Sequence, residues 1–121
     1  MIPKGVKRIG PYAFYNGTLY WSLLIPEGVE TIGESSFSHC DGLEFVSFPR
    51  SLTQIEDFAF FGCHRLRDIV IKGDARSIEL GWRVFNETRC SANNILRSWM
   101  EEKGSTQALG IRLVVKRDIP G

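Results

Sequence analysis

Two cysteines and two histidines in this chain have spacing that invites chemistry. His39-Cys40 and Cys63-His64 sit with their cysteines 23 residues apart in a sequence of 121. Two Cys and two His make a tetrahedral zinc donor set. If the segments that hold them stack side by side, their Cα atoms lie about 5 Å apart, within the range a disulfide tolerates. Against zinc, adjacent residues of extended chain point to opposite sides, so inward cysteines imply outward histidines. Against the disulfide, free Cys packs as a small hydrophobe where a core needs one. The reading is free core thiols, with no metal and no cofactor. Cys90 stands alone.

Other catalytic chemistry finds little support. No Gly-rich phosphate loop precedes a helix, no H-E-x-x-H occurs, and neither histidine has a carboxylate partner in a fixed relation. The expectation is a protein that is not an enzyme. Asn16-Gly17-Thr18 and Asn86-Glu87-Thr88 fit the N-glycosylation acceptor pattern, whose use depends on secretion. A formal net charge of +1 gives no electrostatic reason to expect nucleic acid or an anionic membrane as partner. With 43% apolar and 24% charged residues, the composition is that of an ordinary globular domain.

The elements that must position these residues emerge from a repeat. "IPKGVKRIGPYAFYNG", "IPEGVETIGESSFSHC" and "FPRSLTQIEDFAFFGC" begin at Ile2, Ile25 and Phe48, a constant step of 23. Pro3, Pro26 and Pro49 share a column, as do Val6, Val29 and Leu52, then Ile9, Ile32 and Ile55, then Phe14, Phe37 and Phe60. A second block keeps the period: Tyr20, Leu43 and Leu66, then Leu23, Val46 and Ile69, then Ile25, Phe48 and Ile71. A unit this short cannot bury its apolar side alone, so successive units must stack as a solenoid.

Strands are expected at Tyr20 to Ile25, Leu43 to Phe48 and Leu66 to Ile71, stacked in parallel about 4.8 Å apart. In the second, Leu43, Val46 and Phe48 face inward while Phe45 and Ser47 face out. The segments around "VETIG" and "LTQIE" form the opposite wall, with Gly10 and Gly33 allowing a tight bend that Glu56 must make otherwise. After Ile71 the pattern decays. Ile78 keeps register with Ile55, whereas Phe85 falls two residues late. In "SANNILRSWMEEKG", Ile95, Leu96, Trp99 and Met100 share a helical face, with Asn93 or Asn94 as cap and Gly104 as stop. Trp99 is read as core and the charges of "RSWMEEKG" as a solvated face. "ALGIRLVVKR" alternates Leu109, Ile111, Leu113 and Val115, a strand signature suited to pairing beside Leu66 to Ile71.

The unit L-x-x-[VI]-x-[IF]-P-x-x-[VL]-x-x-I-[GE]-x-x-[AS]-F-x-x-C, as in "LEFVSFPRSLTQIEDFAFFGC", resembles the BspA-type leucine-rich repeat over roughly residues 2 to 78. The resemblance implies an α/β leucine-rich-repeat solenoid, predominantly β, its short parallel strands stacked in a curved right-handed coil whose strand segments form the concave sheet. It also implies a surface protein that adheres to other proteins or cells. The organisation expected is one domain over 1–121: repeats at about 2–24, 25–47 and 48–70, a degenerate repeat at 71–90, and a helix-plus-strand cap at about 91–117.

The outward row of the strands is the candidate interface: Trp21, Leu24, Phe45, Ser47, Asp68 and Val70, with Arg112 from the last strand. It mixes aromatic, aliphatic and charged groups, and aromatics with Arg are the usual anchors of protein interfaces. The expected partner is a protein, extracellular or on a host surface, with no nucleic acid and no membrane insertion. The longest apolar runs fall far short of the ~20 residues that cross a bilayer, and no leader is visible behind Met1. The chain is therefore expected to be soluble and is read as a fragment or an array with a bare end, which leaves end-to-end self-association open. The competing reading is a structural spacer in a longer array, with no binding role of its own.

Overall fold

A computed structural model describes residues 2–18, 21–74 and 77–90. The C-terminal helix and strand expected beyond residue 90, Arg112 included, lie outside the described residues.

Among the described residues, seven short strands form two parallel sheets. β1 (Arg8–Ile9), β3 (Thr31–Ile32), β5 (Gln54–Ile55) and β7 (Glu79–Leu80) make one; β2 (Ser22–Leu24), β4 (Phe45–Phe48) and β6 (Asp68–Ile71) make the other. The chain crosses from one sheet to the other and back in each turn, so every strand pairs with its equivalent one turn on. The register follows the repeat: Ile9 pairs with Ile32 and Ile32 with Ile55, while Leu23, Val46 and Ile69 align across the other sheet. β4 and β6 begin two residues later than the periodicity suggests. Leu43 and Leu66 are buried but belong to the preceding bend, their amides bonded to Cys40 and Cys63 carbonyls at 3.2 and 3.0 Å.

Between the two sheets runs a bend built from consecutive four-residue turns. In the first turn of the coil, the amides of Ala13, Tyr15 and Gly17 reach the carbonyls of Gly10, Tyr12 and Phe14. The remaining amides of the bend donate forward to the next turn: Tyr12, Phe14 and Asn16 to the carbonyls of Glu34, Ser36 and Ser38 at 2.7–2.9 Å. The same pattern recurs from Ser35 to Asp57 and from Phe58 to Trp82. The bend thereby satisfies its backbone without a helix or a strand. Two columns within it take the left-handed conformation, Tyr12, Ser35, Phe58 and Arg83 in one, and Asn16, His39, Gly62 and Glu87 in the other. Each is the third residue of its turn, where type II turns require positive φ.

The core is a set of side-chain ladders. Phe14, Phe37, Phe60 and Phe85 stack with centroids 5.1, 5.2 and 5.6 Å apart and planes within 12°. Ile32, Val46, Ile55 and Ile69 are fully buried beside them, and Phe48 sets its edge against Phe60 at 5.7 Å. Parallel stacking at turn spacing buries the inner rings, Phe37 and Phe60, between two others, and no single repeat can do that alone.

The fourth turn corrects the sequence reading. Ile55 pairs with Leu80, not with Ile78, a step of 25 residues where the earlier turns step by 23. The two extra residues fall before β7, so Phe85 arrives in register and closes the aromatic stack. Ile78 is buried just ahead of the strand. The register shift also moves Trp82 into the column of Glu34 and Asp57, and its amide donates to the Asp57 carboxylate at 2.8 Å.

Gly33 plays a different part from the one expected. Its φ is not positive; a side chain there would instead meet the Ile9 carbonyl at 2.5 Å. Glycine here lets the preceding turn pass close, although Glu56 carries a side chain at the equivalent position one turn on, its amide bonded to the Ile32 carbonyl at the same 2.8 Å.

Candidate functional site

The outward row of the β2–β4–β6 sheet is built by the alternation of strand side chains. Leu23, Val46 and Ile69 point into the core, which leaves Ser22, Phe45 and Asp68 in one outer row and Leu24, Ser47 and Val70 in the next. Just before the strands, Trp21, Glu44 and Arg67 form a third. The sheet brings together all the candidates named from the sequence that fall within the described residues.

Their accessibility is uneven. Trp21 is 60% and Leu24 61% exposed, and Val70 and Asp68 are also exposed. Phe45 is half-buried between Ser22 and Asp68. Ser47 points outward yet is only 4% exposed, because the larger Leu24 and Val70 flank it in register. It offers a partner almost no surface. A small ionic cluster edges the row: the Arg67 guanidinium lies 3.5 Å from the Glu44 carboxylate and 3.4 Å from that of Asp68. All three are exposed enough that their mutual attraction adds little to stability, about 0–1 kcal/mol.

The cysteines and histidines are separated, but by the turns of the bend and not by the alternation of extended chain, His39 being left-handed at φ 61°. Cys40, Cys63 and Cys90 are free and buried, whereas His64 is exposed and His39 half-buried. The Cys40 thiol donates to the Phe14 carbonyl at 3.3 Å and Cys63 to that of Phe37 at 3.0 Å, each reaching back one turn. In the fourth turn Thr88 takes this column. Cys90 lies two residues further on, its thiol donating to the Leu66 carbonyl at 3.4 Å. The Cys40 thiol beside it and its own burial push the Cys63 thiol up, and burial pushes Cys90 up to about 12. The hydrogen bond with Cys63 instead lowers the Cys40 thiol, and all three thiols pack in the core while donating to bend carbonyls. Among the described residues, no cluster of His, Cys, Asp or Glu is arranged to hold a metal ion.

The two sequons differ in their surroundings. Asn16 is exposed at φ 57°, with Thr18 exposed beside it. Asn86 is half-buried, and the Thr88 hydroxyl is engaged twice, donating to the Phe85 carbonyl and accepting from the Cys90 amide.

A second surface went unnoticed in the sequence. On the bend, Tyr12, Tyr15, His39, Phe61 and Phe58 form a continuous chain of edge-to-face rings, with centroids 5.5–5.8 Å apart. The columns that supply them hold no fixed residue type, so periodicity alone does not reveal them.

A coil of parallel strands around a fixed ladder of phenylalanines, with its longer strands presenting an exposed row, is a leucine-rich-repeat solenoid. The chain belongs to the BspA type leucine-rich repeat family, whose model matches residues 1–101 in six copies. Solenoids of this class are generally non-catalytic and often serve protein interaction. No curated protein and no solved structure matches the chain. No helix among the described residues is long and apolar enough to cross a membrane.

Proposed function

We propose that the chain is a non-catalytic interaction and adhesion module that binds a protein partner through the outer face of the β2–β4–β6 sheet, the side that is concave in this family. The observation that carries the reading is the pairing of two large exposed apolar side chains, Trp21 and Leu24, with the Glu44–Arg67–Asp68 charges on one rigid face. Desolvated aromatic anchors ringed by polar groups are the arrangement from which interfaces draw most of their energy. The partner is taken to be an extracellular or host-surface protein, in keeping with the surface location typical of the family.

The test is affinity capture with the parent chain beside a Trp21→Ala, Asp68→Arg variant whose folding is verified by circular dichroism. A partner retained by the parent and lost by the folded variant supports the reading. Capture of the same set by both favours the spacer role, in which stacking is the chain's whole contribution. That second reading has an observation of its own: the centre of the face, Ser47 and the half-buried Phe45, leaves little for a partner to grip.

A further inference from the structure

A sequon accepts a glycan when both its asparagine and the hydroxyl two residues on can be reached, and the bend treats the two sequons differently. Asn16 is the third residue of the turn that the Gly17 amide closes on the Phe14 carbonyl at 2.9 Å. Its backbone is left-handed at φ 57°, which asparagine tolerates better than most residues with a side chain. Its amide is held by the Ser38 carbonyl at 2.8 Å. The backbone is thus fixed while the side chains of Asn16 and Thr18 are exposed. Among the described residues, nothing hydrogen-bonds the Asn16 carboxamide or the Thr18 hydroxyl. In the last bend the sequon is shifted by one position. Glu87 takes the left-handed column, and Asn86 falls in the column of the buried Ser38. Asn86 is half-buried, its amide and carbonyl bonded to Arg83 and Gly62 at 3.3 and 3.0 Å. The Thr88 hydroxyl donates to the Phe85 carbonyl at 2.8 Å and accepts from the Cys90 amide at 3.2 Å, so it is consumed inside the fold.

We infer that Asn16 is an N-glycan acceptor compatible with the fold and that Asn86 is not. The donor is an oligosaccharide linked to a lipid pyrophosphate. The Asn16 carboxamide nitrogen bonds to C1 of the first sugar as the C1–O bond breaks, the lipid pyrophosphate leaves with that electron pair, and the nitrogen gives one proton to a base of the transferase. A glycan is bulky and solubilising, so it needs open approach. On Asn16 it stands in the same turn as the exposed rings of Tyr12 and Tyr15. On Asn86 it meets the bend that holds Thr88, and a chain modified there does not close its last turn. The surface location typical of the family brings a chain to this donor; the choice between the two sequons is made by the fold.

The full chain is expressed in cultured eukaryotic cells behind a cleavable secretion leader, and folded monomer is recovered from medium or lysate by size exclusion. Denaturation and enzymatic deglycosylation in heavy-oxygen water convert each occupied asparagine to labelled aspartate, which peptide mass spectrometry locates. The expected protein is labelled at Asn16 and unlabelled at Asn86. Thr18→Ala should abolish the glycan without touching the left-handed residue, and Thr18→Ser should keep it. Asn86→Gln should leave the mass of the glycosylated monomer otherwise unchanged. Because the leader delivers the chain to the donor whatever its own address, the outcome is independent of the sheet-face reading. Folded parent chain without label at Asn16, or with label at Asn86, would overturn the inference.

Discussion

The rings of Phe37 and Phe60 lie face to face, centroids 5.2 Å apart and planes 8° from parallel, and both are fully buried. The separation is close to the ~4.8 Å between neighbouring strands, so the aromatic stack and the two sheets share one pitch. The ladder and the hydrogen bonds are satisfied by the same stacking, and damage to one turn is felt by its neighbours.

Phe60→Ala should therefore be severe. Phe60 contacts Phe37 and Phe85 through its faces and Phe48 at its edge. The expected loss is about 3–5 kcal/mol in urea denaturation, the usual cost of emptying a buried aromatic site. A loss below about 1 kcal/mol would contradict a core held by this stack.

The Phe column was legible in the sequence because large apolar residues recur at a fixed step, and only stacking explains four columns in phase. The fourth turn was misread because Ile78, 23 residues after Ile55, looked like the next member of its column. A better signal was present. Ile9 to Phe14, Ile32 to Phe37, Ile55 to Phe60 and Leu80 to Phe85 all keep a spacing of five, and Leu80-Gly81 echoes Ile32-Gly33. The strand-to-bend distance is fixed by packing, whereas the link between the sheets absorbs insertions. The left-handed columns were not legible, since Tyr12, Ser35, Phe58 and Arg83 share no side-chain chemistry; hydrogen bonding between turns imposes their conformation. The outward row was legible by alternation, but its accessibility was not, because that depends on the size of register neighbours, as Ser47 demonstrates.

Gly62→Ala tests the bend. Gly62 has φ of 76°, and an added Cβ would lie 2.5 Å from Nδ1 of His39, whose equivalent position one turn earlier is also left-handed. The substitution should cost roughly 1–2 kcal/mol, from the left-handed backbone together with the crowding. In a His39→Ala background the crowding disappears and only the backbone part remains, so a double-mutant cycle should show positive coupling. Equal costs in both backgrounds would mean that the ring moves aside freely.

Ser36→Ala should stabilise the protein. Ser36 is fully buried, and its hydroxyl has no hydrogen-bond partner. The equivalent residues are Ala13, Ala59 and Val84, so the site accepts a methyl group. Relieving a buried, unsatisfied hydroxyl is worth about 1 kcal/mol, seen as a higher denaturation midpoint; a lower one would indicate that the hydroxyl is satisfied in solution.

Burial of Cys90 should make stability fall in alkali. Its thiol is pushed from an ordinary 9.0 up to about 12 by burial. Above pH 9 the unfolded chain loses this proton while the folded chain keeps it. The contribution is complete below that pH and declines as pH rises toward 12, by at most about 1.4 kcal/mol per pH unit. Urea midpoints from pH 7 to 11 should fall less steeply for Cys90→Ala than for the parent. Parallel curves would show that the thiol is not held protonated.

On the sheet face, exposure predicts a graded response among neighbours. Trp21 and Leu24 are mostly in solvent, so Trp21→Ala and Leu24→Ser should shift stability by no more than about 0.5 kcal/mol, the ordinary range for surface positions. Phe45, half-buried between Ser22 and Asp68, should cost about 1 kcal/mol as Phe45→Ala, through lost cross-strand packing. A large destabilisation by Trp21→Ala in urea unfolding would mean that the indole is packed against the chain and unavailable to a partner. Near-neutral values would leave this face free for binding, since substitutions there could then alter partner capture without disturbing the fold.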